Sequence, residues 1–392
     1  MHGMIPRKSR SPLLRLARQF PAVLLLGPRQ CGKTTLAKSL VKGRYFDFER
    51  SSDLQVFAND IEFALQSFSS APLILDEAQS LPALFPALRA AIDRYRRRYG
   101  RYFLLGSVSP DLLKHISESL AGRVGILELT PFLYREVARR KRMRLETLWH
   151  RGGFPDALLA RNARQWQAWQ ENYIRTFIER DIARHRLSFS AIEMRRLMTM
   201  IAHVHGAVLN ASELGRSLGY SYHTIQNALD LLEGYFLARR LLPYHANLGK
   251  RLVKSPKLYV RDSGILHHLL GIASPEQLLT SPARGGSFEG FMIEQLIALE
   301  KLRHPGSAFY YFRTQTGAEI DLIIDRGQER VGIEFKSAVA VEPGDWRHLK
   351  TGLADGVIHR GLVIYNGSRA FQASDKVSVM PALQALATDR EL

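Results

Sequence analysis

Apolar and polar positions recur in two rhythms along this chain, and the change between them divides it. Up to about residue 145, short apolar runs at 23–26, 44–48, 72–75 and 102–105 are separated by helical patterns. Strands alternating with helices predict a parallel α/β sheet. Residues 146–188 read as helical, with Trp166, Trp169, Tyr173, Ile174, Phe177 and Ile178 forming one apolar stripe that belongs in a core. Residues 189–262 change again. A short helix at 210–218, with Ser212 near its cap, is followed by a turn at 219–221. A second helix at 222–237 carries Ile225, Leu229, Leu232 and Phe236 on one face. Strands at 238–244 and 257–260 complete a helix, turn, helix and β-wing, the winged-helix order. From 263 onward a loop at 281–286 precedes a helix at 287–302. Strands at 309–313, 319–324, 331–336 and 361–365 predict a second α/β domain.

The first apolar run breaks into Gly27, Pro28, Arg29, Gln30, Cys31, Gly32, Lys33 and Thr34, with Thr35 next. This fits G-x-x-x-x-G-K-[ST], and the strand before it and helix after it supply the required context. Gly27 and Gly32 let the backbone curl so that successive N–H groups point at phosphates, and the helix start adds the positive end of its dipole. Lys33 is expected to reach the β- and γ-phosphates of ATP, and Thr34 to hold Mg²⁺. The run at 72–75 closes in Asp76 and Glu77. Asp76 is expected to orient Mg²⁺, and Glu77 to polarise the attacking water. Ser107, with Ser109 in reserve, follows the next strand and is placed to sense the γ-phosphate. Arg123, after Gly122, is read either as a stabiliser of transition-state charge, in its own chain or a neighbouring one, or as a structural ion pair.

In the last domain, alternation puts Ile320, Leu322 and Ile324 on one face of a strand and Asp321 on the other. Val331, Ile333 and Phe335 share a face of the next strand, with Glu334 and Lys336 opposite. Asp321, Glu334 and Lys336 therefore meet across a hairpin. The carboxylates can bind one or two Mg²⁺, and the lysine can position a hydrolytic water. The alternative is a charged surface hairpin.

Composition narrows the picture. The chain has 392 residues, a net charge of +18 and a pI near 10.1, which favours an acidic partner, DNA above all. The densest basic tracts are 94–101 and 135–144. In a DNA-binding version of the helix-turn-helix, the outward Ser221, Tyr222, His223, Thr224, Gln226 and Asn227 could reach base edges, and Lys250, Arg251 and Lys254 in the wing could neutralise phosphates; the alternative is a fold that makes protein contacts or packs against the ATPase. No apolar run approaches the ~20 residues of a membrane span. The single cysteine, Cys31, excludes an internal disulfide and fits a reducing cytoplasm. The thirteen histidines, His267 and His268 among them, show no metal-binding spacing.

The segments GPRQCGKTT, LILDEAQ, LLGSVSPDLL, ESLAGRVGILELTPF and GGFPDALL, in that order, resemble the AAA-type ATPases common in archaea and bacteria. The C-terminal half of that family was long catalogued as a domain of unknown function. The resemblance implies ATP binding. It also departs at Leu105, where the family usually has Thr, which leaves Ser107 as the sensor. Glu179, Arg180 and Asp181 resemble a recurrent signature of the family and are read as structural. The C-terminal pattern resembles the restriction-endonuclease-like superfamily, with its helix acid, strand Asp and Glu-x-Lys. That resemblance implies Glu289 as the helix acid, with Glu294 as the alternative.

The expected architecture is an α/β protein with a P-loop ATPase core (1–145), a helical connector (146–188), a winged helix (189–262) and a nuclease-like α/β domain (263–392). The leading expectation is a Mg²⁺–ATP-dependent enzyme acting on DNA, with a phosphodiesterase site in its last domain. The alternative is an ATP-switched DNA- or protein-binding module with an inactive nuclease fold. A third reading makes the basic tracts a membrane-surface or toxin–antitoxin partner face. Self-association is left open.

Overall fold

The computed structural model describes the chain except residues 1–3, 96, 107–115, 117, 142, 183–188, 246–252 and 389–392, with side chains left out at 139–141 and 181. Ser107, Ser109, Lys250 and Arg251 thus lie outside the described residues. The chain divides into two units. One is Met1–Phe132 with Leu231–Leu237, and the other is Leu133–Asp230 with Ala238–Leu392.

The first unit is built on five parallel strands, β1 (Ala22–Leu26), β2 (Arg44–Asp47), β3 (Leu73–Asp76), β4 (Tyr102–Gly106) and β5 (Val124–Glu128), in the order β2-β3-β4-β1-β5. Helices cover the sheet, so β1, β3 and β4 are buried along their whole length. That is why they read as unbroken apolar runs rather than alternating ones. Leu24, Leu75, Leu104, Phe57, Phe85 and Leu88 fill one core. The strand order puts β4 between the two strands whose ends carry the candidate chemistry.

The second unit holds an eight-stranded mixed sheet. Its strands are β6 (Ala238–Pro243), β7 (Lys257–Val260), β8 (Ala308–Arg313), β9 (Glu319–Asp325), β10 (Arg330–Lys336), β11 (Arg360–Tyr365), β12 (Phe371–Ser374) and β13 (Val377–Pro381). Their order is β12-β13-β11-β10-β9-β8-β6-β7. The expected wing, β6 and β7, is an antiparallel pair, and β6 also joins β8 in parallel through Leu242 and Pro243. The β6–β7 pair and the strands β8 to β13 thus share one sheet. On β9 the pattern of alternation fails. Ile320 through Ile324 are all buried because both faces are covered, so Asp321 lies inside rather than on a solvent face.

After the helix Ala191–His203, which was not anticipated, Ala211–Leu218 and Tyr222–Gly234 stand where the two helices of the helix-turn-helix were expected. Two details differ. Asn210, not Ser212, caps the first of these two by accepting from Glu213 N–H, as short polar side chains do best. The second ends at Gly234, three residues early. The helix expected at 287–302 begins at Arg284 and runs to Arg303, taking in the two glycines read as loop. The aromatic stripe is core. Trp166 is buried and gives its indole N–H to Arg151 O at 2.9 Å. Trp169 packs between Phe154 and Tyr173 at 5.2 and 5.0 Å. Glu179 and Arg180 lie in a π-helical turn, Phe177–Ile182.

Candidate functional site

Two clusters of chemically capable groups stand out, one in each unit. In the first unit, the loop after β1 folds back on itself. A Cβ at Gly27 would come within 2.2 Å of Leu129 O, and Gly32 has φ +101°. Both positions therefore require glycine. Cys31 is buried, its thiol 3.4 Å from Leu129 O, and burial pushes its pKa up. This fits a packing role rather than a reactive one. Arg7 donates to Cys31 O at 2.8 Å and also to Thr130 O, tying the back of the loop to the segment after β5.

Lys33 begins the helix Lys33–Leu40 and turns its ammonium inward, donating to Gly27 O and Pro28 O at 2.9 Å each. Thr34 Oγ1 donates to Asp76 Oδ2 at 2.6 Å, joining the loop to the end of β3. Tyr45 on β2 donates to the same oxygen at 3.0 Å. Burial first, and then Asp76, raise the Tyr45 phenol above its ordinary value, so it remains a donor. Glu77 follows with φ +52° and ψ +44°, a left-handed conformation that costs a non-glycine residue on the order of 1 kcal/mol. Its carboxyl accepts from Gln79. Burial raises its pKa, with Arg29 and Lys33 pulling the other way. Arg29 pairs with Glu49 at 3.1 Å.

The structure thus brings together Lys33, Thr34, Asp76 and Glu77, and it separates Arg123 from them. Arg123 immediately precedes β5, whose first residue pairs with Ala22 at the start of β1. The loop lies at the other end of β1, roughly 16 Å away by strand rise. There Arg123 holds Asp93 through two hydrogen bonds of 2.8 Å. That distance separates it from a phosphate bound at the loop of its own chain. The ion-pair reading describes its surroundings. Arg94, Tyr95, Arg98 and Arg101 border a shallow cleft, also at the start of the strands.

In the second unit, Glu289 on the helix Arg284–Arg303, Asp321 on β9 and Glu334 on β10 converge. The register Ile333↔Leu322 continues to place Glu334 beside Asp321, and Asp321 Oδ2 accepts from Phe335 N–H at 3.0 Å. Lys336 lies 3.9 Å from Glu334 Oε2 and 3.5 Å from Asp345. Burial and the Asp321 charge hold the Glu289 carboxyl at about 7. The same two causes push Glu334 well above the ordinary carboxylate range. Glu334 Oε1 is buried with no hydrogen-bond partner among the described residues.

Lys257 on β7 went unread in the sequence. Its Nζ lies 2.9 Å from Glu289 and 3.5 Å from Asp321, and it also pairs with Glu319. Tyr259 donates to Glu289 at 2.6 Å. The only sequence signal was polar Lys257 and Tyr259 alternating along a short strand. Among the described residues, no group of three His, Cys, Asp or Glu side chains is arranged to hold a metal ion, and an ammonium stands among these carboxylates. The alternative helix acid, Glu294, belongs elsewhere. Burial raises its pKa, but Arg239 and Arg261 outweigh that and hold it below the ordinary range.

In the helix Tyr222–Gly234, Ser221 caps the first turn by accepting from Thr224 N–H at 3.1 Å. Gln226 accepts from Arg240 at 2.9 Å. Tyr222, His223 and Asn227 remain exposed. Among the described residues no helix is long and apolar enough to cross a membrane.

These features define a P-loop protein of the AAA class. Residues 19–138 match the AAA domain family, and 142–276 and 284–385 match two domains of unknown function, DUF8612 and DUF4143. The chain belongs to the family of an uncharacterised Mycobacterium tuberculosis protein, Rv2008c. The two are 41% identical over 389 residues, covering 98% of this chain and 86% of the relative. The uncharacterised protein Mb2031c of Mycobacterium bovis matches to the same extent. Among solved structures, RuvB of Thermotoga maritima is 20% identical, covering 59% of this chain and 87% of its own, with a TM-score of 0.30. The Orc1 protein of Aeropyrum pernix, in complex with DNA, is 13% identical, covering 68% and 94%, with a TM-score of 0.29.

Proposed function

We propose that the protein binds and hydrolyses Mg²⁺–ATP in its first unit and acts on DNA. The observation that carries this reading is the Thr34–Asp76 contact with Glu77 next in the chain. The residues fit the nucleotide. Glycines stand where a Cβ would fill the cradle, and Lys33 is already inside the loop, held by carbonyls it can exchange for phosphate oxygens. Thr34 and Asp76 would hold Mg²⁺, which neutralises phosphate charge when bound. Glu77, half-buried and with a raised pKa, is suited to take a proton from water. Lys33→Ala should abolish tight ATP binding; unchanged affinity in calorimetry would sink the assignment.

DNA as partner is supported by the charge of +18 and by the three helices followed by the β6–β7 pair. Metal-dependent phosphodiester cleavage in the second unit is supported by the Glu289, Asp321 and Glu334 cluster and the unpartnered Glu334 Oε1. Two of these carboxylates, Glu334 and Asp321, would hold one divalent cation, which would supply charge neutralisation at a phosphate. Lys336 would position water. Cleavage of labelled linear, single-stranded and branched DNA, with and without ATP, tests this against Lys336→Ala. Metal-dependent cutting lost in the variant supports a nuclease. No cutting with ATP turnover intact leaves the second reading, an ATP-switched docking module. That second reading is favoured by one observation, the ammonium of Lys257 among the acids.

A further inference from the structure

Four carboxylates, Glu289, Glu319, Asp321 and Glu334, lie in one cluster in the second unit, each less than a quarter exposed at its side chain. Such a group repels itself and calls for positive charge. Lys257 is the most deeply buried cation there, its side chain 2% exposed. Its stem crosses Tyr311 of β8, the ammonium 5.7 Å from the ring centroid. Lys257 is bound on several sides, and its backbone is fixed in β7 opposite Leu241. It therefore cannot leave as a surface lysine could.

Positive charge is unevenly shared. Glu289 is served by Lys257 at 2.9 Å and Tyr259 at 2.6 Å, and Glu319 by Lys257 and by Arg313 at 3.2 Å. Among the described residues Glu334 pairs directly with Lys336 alone, at 3.9 Å, an ammonium 34% exposed and divided with Asp345, while the charge of Lys257 reaches it from farther off. Glu334 Oε1 is the buried oxygen left over.

We propose that Lys257 is a resident cation of this site. Its ammonium fills the position among Glu289, Glu319 and Asp321 that would otherwise attract a divalent ion. The cluster then takes at most one divalent cation, at the edge formed by Glu334 and Asp321, while Glu289 and Glu319 hold the lysine. This deepens the reading of the second unit as a metal-dependent phosphodiesterase and rests on it. A covalently fixed ammonium supplies one positive charge where a second metal would supply two. It offers no open coordination position for water or phosphate. A site so filled works with one metal and differs from a two-metal clamp.

Mn²⁺ binding to the full chain without nucleotide, counted by electron paramagnetic resonance, tests the assignment. Glu334→Gln subtracts ions bound elsewhere. Wild type should bind one ion that Glu334→Gln removes. Lys257→Met should gain a further ion, or tighten binding by about tenfold or more, and adding Glu289→Gln to Lys257→Met should cancel the gain. If Lys257→Met does not fold alone, Mn²⁺ should restore its circular dichroism. The assignment is overturned if Lys257→Met gains nothing and is not rescued, or if wild type already binds two ions at this cluster. The two readings fail separately. One wild-type ion with no gain in Lys257→Met leaves metal-dependent cleavage standing and removes the lysine's role. No wild-type ion, with a gain in Lys257→Met that needs Glu289, keeps the lysine's role and removes the cleavage.

Discussion

Thr34 gives its hydroxyl proton to Asp76 Oδ2 over 2.6 Å, and that contact ties the loop after β1 to the end of β3. Tyr45 gives a second proton to the same oxygen. The carboxylate is thereby aimed by two neutral donors from two elements, with the hydroxyl of Thr34 facing the place where Mg²⁺ would enter. Thr34→Val keeps the shape and removes the donor. A hydrogen bond to a charged group contributes about 1.5–3 kcal/mol. ATP turnover should therefore fall roughly ten- to hundredfold, with the helix content unchanged. Turnover at the wild-type rate would mean that the contact does not serve the chemistry.

Tyr45→Phe separates positioning from metal binding. If Thr34 turns to the metal when Mg²⁺–ATP binds, Tyr45 is left to orient Asp76. Its loss should weaken Mg²⁺–ATP binding by about 1 kcal/mol or more, several-fold in Kd. ATP binding in the presence of a chelator should change little. Calorimetry with and without Mg²⁺ reads the difference, and equal weakening under both conditions would reduce Tyr45 to a packing role.

What was legible in the sequence was contiguous. Gly27 to Thr34 form one loop, and the spacing itself encodes the curl that Gly27 and Gly32 permit. Asp76 and Glu77 end an apolar run, so their position at the strand's carboxyl end could be read directly. The Asp321, Glu334 and Lys336 hairpin was legible because alternation across a short turn fixes which side chains meet. Lys257 was not, since it stands 32 residues from Glu289 on a strand that looked like the wing of another domain. Only the β6–β8 pairing brings that strand into the same sheet. Nor was the choice between Glu289 and Glu294. Five residues on a helix is roughly 140° of rotation, so the two face different neighbours, and which neighbours those are is decided by tertiary packing. Arg123 could be read either way, because its place after Gly122 does not reveal the Asp93 carboxylate 30 residues earlier that holds it.

The separation of the two acids has a measurable consequence. Glu294 is shared by Arg239 and Arg261, all three less than a fifth exposed. Glu294→Gln would remove the negative charge that Arg239 and Arg261 share in this largely enclosed cluster, a loss of about 3–5 kcal/mol. Urea unfolding of the full chain should show the transition of this unit shifted down by that amount. A shift under about 1 kcal/mol would show that the arginines find other partners.

The last prediction concerns acid. His267 is fully buried, with Nδ1 2.8 Å from His150 O and Nε2 2.6 Å from Ser287 Oγ. Burial lowers its pKa to about 3, against an ordinary 6.5, so the folded protein refuses a proton that the unfolded chain accepts. Between pH 6.5 and about 3 the unfolded state binds more protons, and stability must fall as pH falls. From pH 7 to 5.5 this one group should cost about 1.3 kcal/mol. Asp262 acts in the opposite sense. Burial raises its carboxyl to about 6 despite N–H donors from Gly153, Ile265 and Gly264, so in the folded state it takes up a proton as pH falls toward 4, which adds stability. The net acid limb of the wild type therefore mixes both signs, and a single curve cannot separate them. Comparison with His267→Gln can. The variant should be less stable than wild type at pH 7, because the amide cannot fill the ring's place. The gap should narrow by about 1.3 kcal/mol at pH 5.5. A gap that stays constant between the two values would mean that His267 carries the same charge folded and unfolded.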